Sequence, residues 1–418
     1  MAGMNELAHK LAGSFDAELL RQDFPILAQQ INGKALVYLD NAATTQKPDA
    51  VIDAISAYYR GDNSNVHRGA HTLGDRATAA FERVRDLTRD FINAESREQI
   101  IWTRGTTESI NLVANSWGRN NLRPGDRILV SAMEHHANIV PWQMVAAQCG
   151  ATVEAIPVDE RGTLDMAAFA AMLDERVRMV AVTHVSNALG TVNPVEAIVP
   201  LAHQAGAVVL IDGAQAVSHW PIDVQALNCD FYVFSAHKLF GPTGVGVLYG
   251  RQSLLEAMPP WQGGGEMIER VSFDGTTFNS LPYKFEAGTP HIAGVIGLGA
   301  AIDYVLGIDR VGAAEHEAAL LSLAEAHAAE VEGLRIIGTA ANKISVMSFL
   351  IEGTHPSDVG ALLDQQGVAV RTGHHCAQPI MAQYGITGTI RASFSIYNTE
   401  QDVTRLFAAL AKARTFLF

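Results

Sequence analysis

With 418 residues, 48% of them hydrophobic and 18% charged, the chain has the length and apolar content for one large core and a smaller one. A net charge of -14 speaks against a general nucleic-acid binder and against an anionic membrane surface as partner. No apolar run approaches the roughly 18 residues of a membrane span, and residues 1–10 lack a basic-then-apolar leader, so no membrane anchoring and a cytoplasmic location are expected.

Residues 1–30 are polar with helical tendency, and Asn32-Gly33 signals a turn before a short strand at 36–39. Asp40-Asn-Ala-Ala-Thr-Thr45 carries side chains suited to turns and caps, and Pro48 opens a helix. Leu73, Ala77, Phe81, Val84, Leu87 and Phe91 recur at helical spacing, while Asn65-Val-His-Arg-Gly-Ala-His71 before them has no period and reads as a loop. From residue 99 onward, strand-like runs at 99–103, 127–131, 152–158, 179–184, 208–211, 231–234 and 245–249 alternate with helical stretches such as 109–117, 138–149 and 195–205. This alternation predicts an α/β fold with a mainly parallel sheet covered by helices on both faces. Gly and Pro thicken at 259–265, and 266–290 reads as a long loop or hairpin. Helices at 290–305 and 311–331 lead to a strand at 344–351, a helix at 356–366, strands at 368–371 and 389–395, and a last amphipathic helix, together a small α+β domain. The expected division is a helical segment 1–30 packing on the small domain, a large domain 31–305 and a small C-terminal domain 306–418.

Cys149, Cys229 and Cys376 are too few and too scattered for a disulfide framework. The first two sit in patterns that suit small buried hydrophobes. Cys376 instead ends Val370-Arg-Thr-Gly-His-His-Cys376, a loop whose glycine and histidines suit an accessible, low-pKa thiol.

Lys238 follows the apolar strand 231–234 at the edge where open α/β sheets bind ligands. Desolvation there lowers a lysine pKa, and a neutral amine forms a Schiff base with an aldehyde; the alternative is a lysine capping a strand end in solvent. Arg104-Gly-Thr-Thr-Glu108 lies between a strand and a helix, so Thr106 and Thr107 offer hydroxyl and N–H groups to a phosphate or make an ordinary cap. Asp212, closing strand 208–211, is costly to bury unless something positive meets it, such as a protonated pyridine nitrogen; otherwise it caps the next turn. His135, in Met133-Glu-His-His-Ala-Asn138, is placed to stack on an aromatic ring, and the divergence of adjacent side chains argues against a metal there. Arg391, a charge inside a strand pattern, suits a bidentate grip on a substrate carboxylate.

Together these segments resemble the SUF-type cysteine desulfurases of aminotransferase fold type I, relatives of cysteine sulfinate desulfinase and selenocysteine lyase. The matching motifs are Arg104-Gly-Thr-Thr-Glu-Ser-Ile-Asn111, Glu134-His-His-Ala-Asn-Ile-Val-Pro-Trp142, Thr183-His-Val-Ser-Asn187, Asp212-Gly-Ala-Gln215, Ser235-Ala-His-Lys238, Phe285-Glu-Ala-Gly-Thr-Pro290 and Arg371-Thr-Gly-His-His-Cys376. Ala236 departs from the glycine or serine of that position. The resemblance implies that Lys238 holds pyridoxal phosphate as a Schiff base, Asp212 pairs with its ring nitrogen, Gln215 bonds its hydroxyl and His135 stacks on the ring and assists catalysis. It implies further that Thr106, Thr107, Ser235 and His237 hold the phosphate, with Thr289 added from the other subunit of a homodimer. Asn187 would touch cofactor and substrate, and Arg371 would join Arg391 in binding L-cysteine. Cys376 would carry a persulfide to a SufE-like or SufU-like acceptor for iron-sulfur cluster assembly. Selenocysteine lyase or cysteine sulfinate desulfinase activity, transamination, and a non-catalytic sulfur-carrier scaffold are the competing readings.

Overall fold

The structure, a computed structural model, describes residues 15–417. Its central sheet is built from runs buried on both faces, as interior parallel strands require. In strand Val177–Thr183 only Arg178 is exposed, and Phe231–Ser235 is buried throughout. From one edge to the other the seven strands begin at Ile100, Gly246, Phe231, Val208, Val177, Arg127 and Thr152. Gly246–Gly250 runs antiparallel to both neighbours, and every other pairing in this sheet is parallel. Each strand lies within two residues of its expected bounds.

Helix Thr72–Phe91 turns Ala77, Phe81, Val84 and Phe91 inward and packs on helix Ile292–Leu306. The contact depends on Gly299, where a Cβ would stand 2.5 Å from a methyl of Val84. Helix Ile292–Leu306 is apolar on nearly every side because it is buried, and among the described residues no single helix is long and apolar enough to cross a membrane. The stretch 266–290 contains an exposed hairpin, Ile268–Ser272 with Gly275–Phe278, and a short turn Tyr283–Phe285.

A second, antiparallel sheet has the order Leu334–Ile337, Val346–Ile351, Thr389–Ser393, Arg371–Gly373, with helices Arg310–Ala329, Pro356–Asp364 and Glu400–Leu417 packed against it. The sequence patterns did not mark strand Leu334–Ile337 or helix Gln378–Gln383, both short. The expected strand 368–371 is two pieces, because Val368–Ala369 turns away to pair in parallel with Val37–Tyr38. Val37 and Leu39 therefore share a core with Phe349, Ile390 and Leu410, which moves this stretch from the large unit 31–305 to the C-terminal one.

Of the N-terminal segment, residues 1–14 lie outside the described residues. Helix Ala17–Arg21 starts at Asp16, which accepts from the amides of Glu18 and Leu19. Arg21 reaches the C-terminal unit at Asp402 (3.0 Å), but Phe24 packs against Phe240 and Tyr304 as well as Tyr397. The segment thus rests on both units rather than on the small one alone.

Candidate active site

Asp212 and Ser235 close neighbouring parallel strands, so Asp212 and the turn Ala236–Lys238 face one cavity of about 150 Å³. Burial pushes the Lys238 amine down to about 8, although the Asp212 carboxylate favours its charged form. Its Nζ has no hydrogen-bond partner among the described residues. The turn that carries it is pinned at the His237 carbonyl, which accepts from the Thr45 amide (3.1 Å), the hydroxyls of Thr44 (3.0 Å) and Thr45 (3.1 Å), and Lys47 Nζ (2.9 Å).

Asp212 Oδ1 accepts from the Ala214 amide at 2.9 Å, and Oδ2 has no donor among the described residues. Burial raises this carboxyl's pKa, and the Ala214 amide and Lys238 pull the other way. Gln215 Nε2 donates to the Ala42 carbonyl (2.6 Å), which leaves its Oε1 open. His135 Nδ1 accepts from the Ala137 amide at 3.0 Å. Burial, then the Lys238 charge, push the His135 pKa down to about 4, so a neutral ring with its proton on Nε2 faces the cavity.

At the far end, Ser235 Oγ accepts from the Thr106 amide and shares a proton with Thr106 Oγ1, both at 2.8 Å. Strand and loop come this close because Gly246 meets Gly105, where a Cβ would lie 2.4 Å from the neighbouring Cα. Thr106, Thr107, Ser235 and His237 line both the cavity and an adjoining shallow hollow. His237 is held neutral, its pKa pushed to about 4 by burial and by Lys238 and Lys47.

At the opposite end, Arg391 is buried and donates from Nη1 to the Asn187 carbonyl (2.8 Å) and from Nη2 to Asp40 Oδ1 (2.9 Å). Its Nε has no partner. Arg371 stands directly across from it on the next strand. Two guanidiniums facing each other destabilise a sheet unless an anion lies near them, and Asp40 supplies one to Arg391.

The cysteine loop is fixed beside this end. His375 and Cys376 take left-handed backbone conformations, φ 52° and 55°, held by four hydrogen bonds. Asn187 Nδ2 donates to the His375 carbonyl (2.7 Å), and His375 Nε2 meets Thr389 Oγ1 (2.7 Å). The His136 amide donates to the Cys376 carbonyl (2.7 Å), and the Cys376 amide donates to His374 Nδ1 (3.1 Å). His375 lines the cavity; Cys376 sits half-buried just beyond the lining, near enough for its charge to act on Lys238. Asn187 lines the cavity too, with its amide nitrogen spent on this loop.

Thr289 does not reach this cavity within one chain. It lines a separate hollow of about 520 Å³ with Trp102, Arg104, Trp261 and His291. Sequence reasoning passed over Asp40, Lys47 and Glu134. Glu134 is fully buried, accepts from Ser131 Oγ (2.5 Å), Asn138 Nδ2 (2.7 Å) and the Thr183 amide (2.7 Å), and burial pushes it up to about 8. The signal for Asp40 was available, since an acid closing an apolar strand is the feature that singled out Asp212.

The donor set fits pyridoxal phosphate. A free amine, an open carboxylate oxygen for a ring N–H, an open amide oxygen for a hydroxyl, a neutral imidazole face and a loop of amides and hydroxyls for a phosphate all meet in one place.

The model of the aminotransferase class-V family matches residues 37–406. A probable cysteine desulfurase of Vibrio cholerae is 54% identical over 396 residues, covering 95% of this chain and 98% of its own. A cysteine desulfurase of Salmonella agona is 53% identical, covering 97% of this chain and all of its own. The crystal structure of the cysteine desulfurase CsdA from Escherichia coli superposes with a TM-score of 0.91 at 45% identity, covering 97% of this chain and all of that one.

Proposed function

The chain belongs to the aminotransferase class-V family and is a pyridoxal-phosphate-dependent cysteine desulfurase, and we propose that it works at the Lys238 cavity and passes sulfur through a persulfide on Cys376. When bound, the cofactor supplies an aldehyde for an amine and a protonated pyridine ring that draws electrons from the substrate's Cα. Asp212 Oδ2 would keep that ring nitrogen protonated, Gln215 Oε1 would take the ring hydroxyl, and His135 would offer its neutral imidazole to the ring. Thr106, Thr107, Ser235 and His237 hold the phosphate.

Lys238 would hold the cofactor, and its amine would move the proton at the substrate's Cα. Its pKa of about 8 leaves a usable neutral fraction near neutral pH. Arg391 and Arg371 grip the α-carboxylate, and Asn187 ties Arg391 to the cysteine loop, so substrate binding and the loop share a support. Cys376 Sγ, as thiolate, bonds to the substrate sulfur while the Cβ–S bond breaks; Cβ keeps the electron pair and takes a proton, giving alanine and an enzyme persulfide.

The observation that carries this reading is the meeting of Lys238, an Asp212 with an open oxygen, and an arginine pair in one cavity with Cys376 fixed at its edge. A homodimer, a cytoplasmic location and a SUF-type role with a SufE-like or SufU-like acceptor complete the reading. The test is alanine formation from L-cysteine with a thiol reductant, the parent compared with Cys376→Ala. Alanine and an added sulfur atom on Cys376 in the parent, with both lost in the variant, are expected. Equal alanine from both would overturn the persulfide role and favour direct elimination, as a selenocysteine lyase or sulfinate desulfinase would show.

A further inference from the structure

His135 and His136 are consecutive on one turn of the large unit, and their side chains part. His135 lines the cavity, while His136 turns to the segment that carries Cys376. There its amide donates to the Cys376 carbonyl (2.7 Å), and its Nε2 accepts from the Gln378 amide (3.0 Å). Gln378 opens helix Gln378–Gln383, whose cap residue, Ala377, has no side chain to bond the first amides. The His136 ring caps that helix instead, from 242 residues away in the chain.

The rest of the backbone around Cys376 is bonded as well. The His375 carbonyl accepts from Asn187 Nδ2, and the Cys376 amide donates to His374 Nδ1 (3.1 Å). The Ala377 amide donates to the His374 carbonyl (2.8 Å), and the Ala377 carbonyl accepts from the Met381 amide (3.4 Å). At its other end the helix is held by Gln383 Nε2, which donates to the Val158 carbonyl (2.8 Å). Such bonding is needed, because Cys376 keeps a left-handed backbone, φ 55°, that a residue other than glycine adopts only at a cost. His136 Nε2 can accept only while it carries no proton. Burial and the neighbouring His374 ring, 5.5 Å away between centroids, hold its pKa below the usual histidine value.

We propose that His136 is a positioning residue for Cys376: by capping helix Gln378–Gln383, its Nε2 fixes the reach of the Cys376 thiol to the substrate sulfur, from the same turn that places His135 at the cavity. This role rests on the desulfurase reading and adds no group that touches substrate or cofactor. Attack by a thiol depends steeply on distance, whereas a Cβ–S cleavage that needs no thiol depends on the cysteine loop far less. L-cysteine sulfinate offers such a reaction: the Cβ–S bond leaves its electron pair on Cβ, which takes a proton to give alanine, and the sulfur departs as sulfur dioxide.

The test is kcat/KM for alanine formation by the holoenzyme from L-cysteine, with a thiol reductant, and from L-cysteine sulfinate, in the parent, His136→Ala and His136→Gln. The first variant keeps the backbone bond to Cys376 and loses the cap; in the second, a side-chain carbonyl oxygen takes the place of Nε2. The cysteine-to-sulfinate ratio should fall on the order of tenfold in His136→Ala and stay within about twofold of the parent in His136→Gln. Loss of both activities together marks a merely structural role and overturns the proposal. An unchanged ratio, an equal fall in His136→Gln, or a His136→Ala protein without the cofactor's visible absorbance overturns it too. Where the parent does not act on the sulfinate, or makes no alanine from cysteine, the readout is the rate at which iodoacetamide alkylates Cys376 in the holoenzyme, followed by mass spectrometry. A parent silent on cysteine defeats the desulfurase reading. Severalfold faster alkylation in His136→Ala, reversed in His136→Gln, still supports the positioning role, and equal or slower alkylation overturns it.

Discussion

At the scale of single residues, the site is defined as much by rings kept neutral as by charges. Burial pushes His135, His184 and His237 to about 4 and His375 to about 2. His184 shows the consequence most simply, since burial is its sole cause and its Nδ1 has one polar contact, the Tyr232 hydroxyl at 3.1 Å. Its folded pKa lies below the unfolded value of 6.5, so the unfolded chain binds the extra proton. The stability from keeping it neutral is complete above pH 6.5 and is lost as pH falls toward 4. The gap in unfolding free energy between the parent and His184→Gln should shift by about 3 kcal/mol in the variant's favour between pH 7 and pH 4. Chemical denaturation of both at the two pH values checks this, and a pH-independent gap would contradict a buried neutral imidazole. Lys238, Asp212 and Arg391 were legible in the sequence because each is a charge set in or beside an apolar strand. Asp40 carries the same local signal, but its partner Arg391 lies 351 residues away, and Lys47 carries none, its partner being the His237 carbonyl 190 residues on.

At the scale of elements, the buried Arg85 joins three pieces of chain. From helix Thr72–Phe91 it donates from Nη1 to Glu286 Oε1 (2.7 Å), from Nη2 to Glu286 Oε2 (3.0 Å), and to the Ile100 carbonyl (2.8 Å). Glu286 Oε1 also accepts from the Trp102 amide at 2.7 Å. Helix, edge strand and the segment leading to Thr289 are locked by Arg85, which pairs with Glu286 and also with Glu82 of its own helix (3.1 Å). Arg85→Met should cost about 3–5 kcal/mol, because it strands the Glu286 carboxylate in the core. The double variant Arg85→Met with Glu286→Gln should recover part of that loss, since the amide still accepts from Trp102 and carries no charge; denaturation midpoints of the three proteins are the measurement. The sequence marked residues 72–91 as an amphipathic helix by its apolar stripe, yet Arg85 gave no sign of facing inward, since an arginine in such a stripe ordinarily reads as solvated.

At the scale of the whole molecule, the central sheet was legible because its buried strands stand out as apolar runs between helical patterns. The small sheet was less so: strand Leu334–Ile337 is short, half-exposed and at an edge, and the parallel pairing of Val37–Tyr38 with Val368–Ala369 leaves no local trace. The proposed dimer belongs to this scale. Val271 and Phe273, on the hairpin, are 61% and 113% exposed, and Thr289 lies outside the cavity of its own chain. Light scattering should give about twice 44.9 kDa, and a fully active monomer would remove Thr289 from the phosphate site. The pairing of Val37 with Val368 also constrains biosynthesis. The first of these strands leaves the ribosome long before its neighbour exists, so a nascent or prematurely terminated chain holds Asp40 without Arg391 and Lys238 without Cys376. On the proposed mechanism such a chain lacks a carboxylate grip and a sulfur carrier, and Val37 and Leu39 lack the core they share with Phe349, Ile390 and Leu410.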